Sequence, residues 1–526
     1  MAGALLTAVA VVPSAADLPV PLVGRTDASW VDTEHVRAPF VGLARDCARP
    51  FRYASTASSR VLSGTLLGTS LDPVVQLSGV TATHTGAPGT TSTARPATAP
   101  SAGADTYAAP LDVTALSGVA GVGIAAPAVV VLPSASQQVA LLQQRSRATS
   151  DGEASSATGA VADDGGIRTT PVPTDGTEPP RSAVLDLAAL APGAATLAGL
   201  RLEVGALAST AALDGCERDE HGAGPVRAYH VGDLDLLLAS PSVGALTSGT
   251  ASAAAAAQAR VTALERQLEQ SLKGVGGLAG STVRVSVAVD AAAAVRPLLG
   301  TRLGTGTEVE VDLARGTVRV DLARLLAGSG GLDGRAPGTE LVLDAALTAH
   351  VAARVDALLQ AWATDVQTTL EAALRAARVT VTATSLGLVT LLQVDTTVSE
   401  LLEGRTRIGL LGVGVDAGTV LAVLTDGLRA GLLGPGGVGP STGTAVRALV
   451  PPVVAATSTA TGGLRQAVSL VVNDQRQTVG PTGRTATADV AALRVRVLAG
   501  PATTGTAGAT ELRLSTSSVG PVLERP

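Results

Sequence analysis

The sequence predicts an α+β fold, in which antiparallel β-sheets in sandwich-like layers are backed by a few amphipathic helices, one of them long. Two observations predict this class. Between Glu308 and Leu322, two short segments alternate charged and apolar residues on either side of a turn, which is typical of a β-hairpin. From about Glu340 to Arg378, apolar residues recur every three or four positions, which is typical of one stripe on a helix.

The hairpin has a predicted register. If its turn pairs Ala314 with Thr317, Asp312 lies opposite Arg319 on the solvent-facing side. The valines and leucines of both strands then share the other face. That face has to be covered by another element.

The long helix is the predicted cover for the apolar face of the hairpin. Thr339 follows Pro337-Gly338 and is the predicted N-cap. The predicted stripe consists of Leu343, Leu347, Val351, Val355, Leu358, Trp362, Val366, Leu370 and Leu374.

Several further elements are predicted. The alternating segments Leu200–Leu207 and Tyr229–Leu236 are expected to pair at the edge of a sheet. A second helix is expected from Ala253 to Lys273, with Glu269 reaching Lys273. Thr81–Pro110 has no periodicity and is predicted to be a surface loop or linker. Other strands are predicted at 283–289, 379–389, 405–415, 467–473, 490–498 and 511–515, and short helices at 419–433 and 445–457.

Two segments echo each other. Leu236–Gly244 and Leu512–Gly520 both leave an apolar stretch through Ser-Val-Gly. A duplicated β element would explain the echo, and so would chance in a chain rich in these residues.

Composition narrows the function classes. The 526 residues are 46% hydrophobic but only 1% aromatic, so the cores have to be built from Ala, Val and Leu. The net charge is −6, and the chain has no basic stripe with interleaved aromatic residues, so nucleic acid is not a predicted partner. The apolar run Gly118–Leu132 is too short for a membrane span and is broken by Gly and Pro. No cofactor is predicted.

The predicted organisation has four parts. Residues 1–16 resemble a signal peptide because an apolar run ends in Ser-Ala-Ala, although a charged start is missing. A short buried strand is the alternative for this run. Residues 17–167 form a β-rich region, residues 168–182 a Pro-rich linker, and residues 183–526 a region of sheets and the long helix.

Cys47 and Cys216 are the only cysteines. In an oxidising compartment a bridge between them would close a loop of about 170 residues and could contribute up to about 5 kcal/mol. Two buried thiols are the alternative. Export is compatible with the bridge.

Residues able to perform chemistry are few and scattered. Gly439-Pro-Ser441-Thr-Gly443 has the spacing of a nucleophile elbow, but no strand precedes it. The polar run Asp214–His221 has no EF-hand or zinc spacing, and a solvated loop bearing a disulfide is the preferred interpretation. His230 and His350 are distant in sequence, so no catalytic residue and no metal ligand is predicted.

Several stretches resemble the choice-of-anchor G family of exported actinobacterial surface proteins. They are LRLEVGALA from Leu200, YHVGDLDLLLASPSVGAL from Tyr229, the segment Glu308–Leu326 with PGTEL from Pro337, and VSLVVN from Val468. GAVADDGGI from Gly159 is similar too. The resemblance implies attachment at the cell surface through a C-terminal signal. The sequence ends in Glu524-Arg-Pro526 without an LPxTG-like motif, which departs from that pattern.

The functional prediction is an exported, non-enzymatic, secreted or cell-surface protein of structural or adhesive type. Its partners would be cell-envelope or extracellular surface components. A secreted hydrolase that uses Ser441 or the Asp214–His221 segment is one alternative. A binder of a hydrophobic ligand, held between the long helix and the sheet, is another.

Overall fold

A computed structural model describes residues 53–66, 68–71, 79–87, 89–110, 130–131, 143–161, 183–190, 197–326, 331–385, 389–410, 416–480, 485–497 and 510–525. The predicted leader at 1–16, the linker at 168–182 and Cys47 lie outside the described residues. The α+β class is confirmed, since helices make up 37% and strands 40% of the described residues, with several antiparallel sheets and a long helix.

Ten α-helices lie in the described residues, and a π-helical turn at Arg429–Leu433 follows the eighth. They are α1 Leu187–Leu190, α2 Gly215–His221, α3 Pro241–Lys273, α4 Ala291–Val295, α5 Leu322–Leu325, α6 Ala345–Ala376, α7 Val398–Leu402, α8 Ala417–Leu428, α9 Val438–Arg447 and α10 Val450–Ala467.

The strands form four antiparallel sheets. In chain order they are β1 Tyr53–Leu66, β2 Thr69–Ser70, β3 Val80–His84, β4 Thr93–Arg95, β5 Ser101–Gly103, β6 Thr106–Pro110, β7 Val130–Val131, β8 Gln143–Ala148, β9 Glu153–Gly159, β10 Ala183–Asp186, β11 Leu200–Val204, β12 Leu207–Asp214, β13 Val226–Val231, β14 Leu234–Ala239, β15 Thr282–Ala288, β16 Arg302–Leu303, β17 Val309–Asp312, β18 Thr317–Asp321, β19 Thr339–Glu340, β20 Arg378–Ser385, β21 Val389–Thr397, β22 Ile408–Leu410, β23 Val468–Val479, β24 Thr485–Val497, β25 Thr510–Val519 and β26 Leu523–Glu524.

A nine-stranded sheet, in the order β19-β23-β24-β25-β1-β3-β4 with β2 and β26 beside β1, packs against a six-stranded sheet, in the order β13-β12-β9-β8-β6-β5. Small polar side chains bridge the two sheets. Ser59 Oγ lies 3.1 Å from Ser146 Oγ, Ser209 Oγ lies 2.9 Å from Ser517 Oγ, and Thr158 Oγ1 donates to a backbone carbonyl at 2.8 Å. Each of these buried hydroxyls has a partner, which offsets the cost of its burial between the sheets.

The other two sheets carry the helices. The seven-stranded sheet has the order β16-β17-β18-β14-β11-β10-β7, and the four-stranded sheet has the order β15-β20-β21-β22. Their valines and leucines join one large core with the buried stripes of α3 and α6. Trp362, on α6, is the largest buried side chain in this core, and its Nε1 donates to Leu298 O at 3.0 Å.

Two long segments pass from one sheet to the other. β11 pairs with β14 in the seven-stranded sheet, and the continuing strands β12 and β13 pair in the six-stranded sheet. The turn is tight at Gly205, where a Cβ would lie 2.9 Å from Asp233 Cβ. The predicted pairing of Leu200–Leu207 with Tyr229–Leu236 is therefore confirmed, but the predicted edge position is wrong for β11 and β14, which are interior strands.

The hairpin exists as predicted, but its register is wrong by two residues. Asp312 pairs with Thr317, and Glu310 lies opposite Arg319. The Asp312 side chain accepts a hydrogen bond from Arg315 N at 3.0 Å and so closes a longer turn, with Gly316 at φ 68°. A shift of two residues keeps the valines on the buried face.

The long helix begins and ends inside its predicted bounds. It starts after Asp344, whose carboxylate accepts from Leu347 N at 2.7 Å, so the predicted N-cap Thr339 is wrong. Thr339 instead belongs to β19, which pairs with β23. The helix stripe is buried from Val351 to Leu374, with Leu359 rather than Leu358 in the core.

Two other expectations were wrong. Thr81–Pro110 contains four strands rather than a loop alone. The helix predicted to start at Ala253 starts at Pro241, because proline favours the first turn. This start also separates the two echoing segments, since Leu236–Gly244 turns into α3 whereas Leu512–Gly520 continues as β25. The nine- and six-stranded sheets both contain strands from before and after residues 168–182, and the predicted division of the chain stays a prediction.

Candidate functional site

Ser441, the predicted alternative nucleophile, lies in the first turns of α9. Its hydroxyl donates to Gly437 O at 2.6 Å, which is a bond to its own helix backbone, and Arg260 donates to its Oγ. A nucleophile elbow requires a sharp turn between a strand and a helix. Ser441 lacks that setting, because the π-helical turn and a short connection precede α9.

The two glycines of the same motif have a packing role. A Cβ on Gly439 would lie 2.9 Å from Glu371 Cγ, and a Cβ on Gly443 would lie 2.4 Å from Gln367 Oε1. Both partners are on α6 and are joined by a hydrogen bond of 2.7 Å from Gln367 Nε2 to Glu371 Oε1. Glycines four residues apart on α9 thus meet residues four apart on α6, and the motif is a site of close helix–helix contact.

A second glycine pair makes the same kind of contact. A Cβ on Gly427 would lie 2.4 Å from Leu268 Cδ2, and a Cβ on Gly431 would lie 2.6 Å from Leu264 Cδ1, both on α3. The two glycines are four residues apart, and so are the two leucines of α3 that they meet. Of the two pairs, only Gly439 and Gly443 were singled out in the sequence, where their spacing was compared with a nucleophile motif.

The two histidines considered for a hydrolase have separate partners. His230 Nδ1 lies 2.6 Å from Asp333 Oδ2, and Asp333 Oδ1 also accepts from Val231 N at 2.8 Å, so this carboxylate holds its loop against β13. His350 Nε2 lies 3.5 Å from Glu308 Oε1 on the surface of α6. Each of these contacts has a structural role of its own.

The predicted solvated loop at Asp214–His221 is wrong, because this segment is the short helix α2. Asp214 is its N-cap and accepts from Cys216 N at 2.9 Å and Glu217 N at 3.2 Å. Asp219 accepts from Tyr53 OH at 3.2 Å. Burial, followed by the nearby Asp219, raises the pKa of Tyr53. Within the described residues, no group of three or more His, Cys, Asp or Glu side chains could hold a metal ion.

The densest charge cluster lies on β23, β24 and β25 and was not predicted. We call it the arginine cluster; its centre is Asp474, which is buried. Asp474 accepts from Arg513 Nε at 2.8 Å and lies 3.1 Å from Arg494 Nη1. Burial lowers the pKa of Arg513, and Asp474 opposes this effect.

The exposed rim of the arginine cluster is built around Glu511. Arg476 Nη2 and Arg496 Nη2 donate to its two carboxylate oxygens at 2.6 Å and 2.9 Å. Burial acts to raise the pKa of Glu511, but the hydrogen bonds from both arginines outweigh it, so the pKa lies below its ordinary value. The side chains of Arg476 and Arg496 are 47% and 49% exposed.

The arginine cluster therefore carries excess positive charge. Four guanidinium groups lie near three carboxylates. Arg476 approaches Asp474 at 3.6 Å, and Asp489 lies opposite Arg476 on β24 and acts on the charge of Arg513. The overall charge of the chain is −6, so this surface differs in sign from the average. No sequence motif marks it, because its arginines lie on three strands that pair only in the folded protein.

A family model described as Domain of unknown function (DUF8394) matches residues 57–520. The chain belongs to the DUF8394 family. The match begins in β1 and ends directly after β25, so the family domain includes strands of all four sheets and the packed helices. No curated protein and no solved structure matches the chain. The resemblance to the choice-of-anchor G family stays a prediction.

Within this DUF8394 domain, Cys216 is buried beside Tyr53 in a small core cluster. Tyr53 lies six residues after Cys47 in the sequence, and six residues span at most about 20 Å. The predicted bridge is therefore within reach of the chain. It stays a prediction, because Cys47 lies outside the described residues.

One described helical stretch, Ala417–Ala467, is long and apolar enough to cross a membrane by length and composition. Its most apolar 18-residue segment has a mean hydropathy of 1.2, and 22% of that segment is buried. The whole stretch consists of α8, the π-helical turn, α9 and α10. In α8 the buried residues Val420, Leu424 and Leu428 follow one stripe. That stripe belongs to the large core, and the absence of a membrane span stays a prediction.

Proposed function

We propose that this protein is an exported, non-enzymatic protein, secreted or held at the cell surface, with a structural or adhesive role. Its arginine cluster contacts acidic groups of cell-envelope or extracellular components. The observation that carries this proposal is the excess of guanidinium groups on a rigid three-strand surface of an otherwise acidic chain.

The chemistry of the exposed rim supports an acidic partner. Arginine has five N–H donors in a planar arrangement that fits carboxylate, sulfate and phosphate groups. Arg476 and Arg496 each use an Nη2 donor on Glu511 and remain about half exposed. Glu511 fixes the positions of both side chains, so little conformational entropy remains to be lost when an acidic group binds.

Binding can be tested with two acidic polymers as probes, alginate for carboxylates and heparin for sulfates. The full chain is compared with the double variant Arg476→Gln/Arg496→Gln. We expect wild-type binding to weaken as salt rises, because the contact is electrostatic, and we expect the double variant to bind at least about tenfold more weakly.

The matched control is Arg375→Gln/Arg429→Gln, which removes two exposed arginines from helical surfaces far from this cluster in sequence. The control should bind like the wild type. Equal binding by all three proteins would overturn the assignment of this surface, and equal loss in both variants would show only a general charge effect and overturn it as well.

Export is tested separately. Intact cells of the native host are treated with protease, and the N-terminal peptide of the mature protein is sequenced by mass spectrometry. We expect degradation on intact cells and a mature N-terminus close to residue 17. A protein that is protected in intact cells and retains residues 1–16 would contradict export.

The two alternatives have less support. A hydrolase that used Ser441 would need its hydroxyl as a nucleophile, but the hydroxyl is bound to Gly437 O within its own helix. A hydrolase that used Asp214–His221 would need Asp214, which caps α2. A hydrophobic ligand beneath α6 would compete with Trp362, whose buried ring already occupies the middle of the stripe and is fixed by Leu298 O.

A further inference from the structure

The four-stranded sheet has an edge at β15. Its sequence alternates, and Val283, Val285 and Val287 are buried while the intervening side chains are exposed. An edge strand of this kind presents backbone N–H and C=O groups that can pair with another strand. In this protein, side chains of α3 lie where such a neighbouring strand would pair with β15.

Two glutamates of α3 accept the outward-facing amides of β15. Val287 N donates to Glu265 Oε1 at 2.6 Å, and Val285 N donates to Glu269 Oε1 at 3.0 Å. Glu269 was predicted to reach Lys273 on the same helix. It is turned to the strand instead, where a backbone amide has no other strand to bind.

The spacing of the two elements explains the fit. Residues four apart on an α-helix are separated by about 6 Å along its axis, and residues two apart on a strand by about 6.6–6.8 Å. Glu265 and Glu269 can therefore each meet one of two alternate amides. Gln258, seven residues before Glu265, continues the series by accepting from Ala291 N at 3.5 Å, just beyond the strand.

We propose that Glu265 and Glu269 take the place of a neighbouring strand and prevent β15 from pairing with a second copy of this chain. An antiparallel strand can pair with its own copy about a two-fold axis, so the edge of β15 is complementary to itself. Four strands from each copy would then form one continuous sheet. The glutamates keep the edge closed because a charged acceptor binds an amide more strongly than a neutral carbonyl does.

The test compares the wild type with the double variants Glu265→Ala/Glu269→Ala and Glu265→Gln/Glu269→Gln. Hydrogen exchange followed by mass spectrometry reports on the segment that contains Val285 and Val287, and light scattering during size-exclusion chromatography reports on mass. In dilute solution we expect the alanine variant to exchange this segment roughly tenfold faster than the wild type or more. As its concentration rises, we expect a shift towards twice the wild-type mass.

The glutamine variant keeps an acceptor at both positions, so its mass should equal that of the wild type. Gln270→Ala, on the exposed side of the same helix, is the control for a change in α3 and should match the wild type in both measurements. If the alanine double variant does not fold, Glu265→Ala and Glu269→Ala are measured singly, and exchange should increase at Val287 and Val285 respectively. Unchanged exchange in the alanine variants, or unchanged mass at every concentration in a folded double variant, would overturn the proposal.

Discussion

Replacing Gly443 by alanine tests the close contact between α9 and α6. The added Cβ would lie 2.4 Å from Gln367 Oε1, 2.7 Å from its Cδ and 2.9 Å from its Cγ. The amide cannot rotate away without losing its hydrogen bond of 2.7 Å to Glu371. The substitution therefore forces the helices apart or breaks a side-chain contact.

The expected magnitude follows from two opposing effects. Extra volume in a packed contact destabilises by about 1–3 kcal/mol. Glycine to alanine inside a helix stabilises by about 0.5–1 kcal/mol. The net effect at Gly443 should be a loss of about 1–2 kcal/mol, measured as a lower midpoint of urea unfolding at an unchanged slope.

Gly462 is the matched control, because it lies inside α10 and a Cβ there would meet nothing within 4 Å. Gly462→Ala should raise the free energy of unfolding by about 0.5–1 kcal/mol, since only the helix preference remains. A double-mutant cycle with Gln367→Ala should recover part of the loss at Gly443. The explanation fails if Gly443→Ala stabilises the protein as much as Gly462→Ala does.

Three further predictions concern charge and covalent structure. Burial raises the pKa of Asp235 although Arg319 binds it. The contribution of Asp235 to stability should therefore fall as the pH rises from the pKa of the unfolded state, near 3.8, through the pKa of the folded state. Asp235→Asn should remove that decline in pH-dependent urea unfolding, and an unchanged profile would contradict it. The pKa of Glu511 is lowered, so its contribution is present above the unfolded value near 4.5 and should be lost as pH falls, and Glu511→Gln should flatten the acid limb of the same profile. Non-reducing peptide mapping should find a Cys47–Cys216 peptide whose reduction lowers the melting temperature, and alkylation of both thiols in the untreated protein would exclude the bridge.

Local patterns predicted much of the fold. Alternation located β17 and β18, and the helical stripe located α6, because burial of one face imposes a period on the sequence. The predicted hairpin register and the predicted N-cap of the long helix were wrong, because side chains compete to bind the backbone groups there. Asp312 closes a longer turn than the charge pairing implied, and Asp344 displaces Thr339 as the N-cap.

The sheets were harder to predict than the strands. β1 pairs with β25 from the far end of the chain, with Ala57 opposite Val519, and no local pattern encodes that partner. Threonine-rich Thr81–Pro110 forms short strands because existing sheet edges supply their hydrogen bonds. Its composition alone indicated a loop.

The role of the motif around Ser441 could not be predicted from the sequence for a related reason. Gly439-Pro-Ser441-Thr-Gly443 satisfies the spacing of a nucleophile motif and of a helix contact equally well, and only the surrounding backbone distinguishes them. The arginine cluster had no local signal at all. Its carboxylates Asp474 and Glu511 are close to the same arginine only because β23, β24 and β25 pair in register.

Scarcity of aromatic residues explains why glycine occurs at the helix contacts. With 1% aromatic residues, large rings cannot fill the space between elements, so the elements themselves have to approach closely. Glycine permits this approach between α9 and α6 and between α8 and α3, at a cost in helix preference of about 0.5–1 kcal/mol at each position. In the sandwich, Gly159 also permits close approach, since a Cβ there would lie 2.0 Å from Leu207 O on the neighbouring strand and 2.8 Å from Ser515 Oγ on the facing sheet. Substitution of Gly159 or Gly443 should therefore disturb folding more than loss of an exposed apolar residue such as Val342, because each glycine marks a point where two elements are in direct contact.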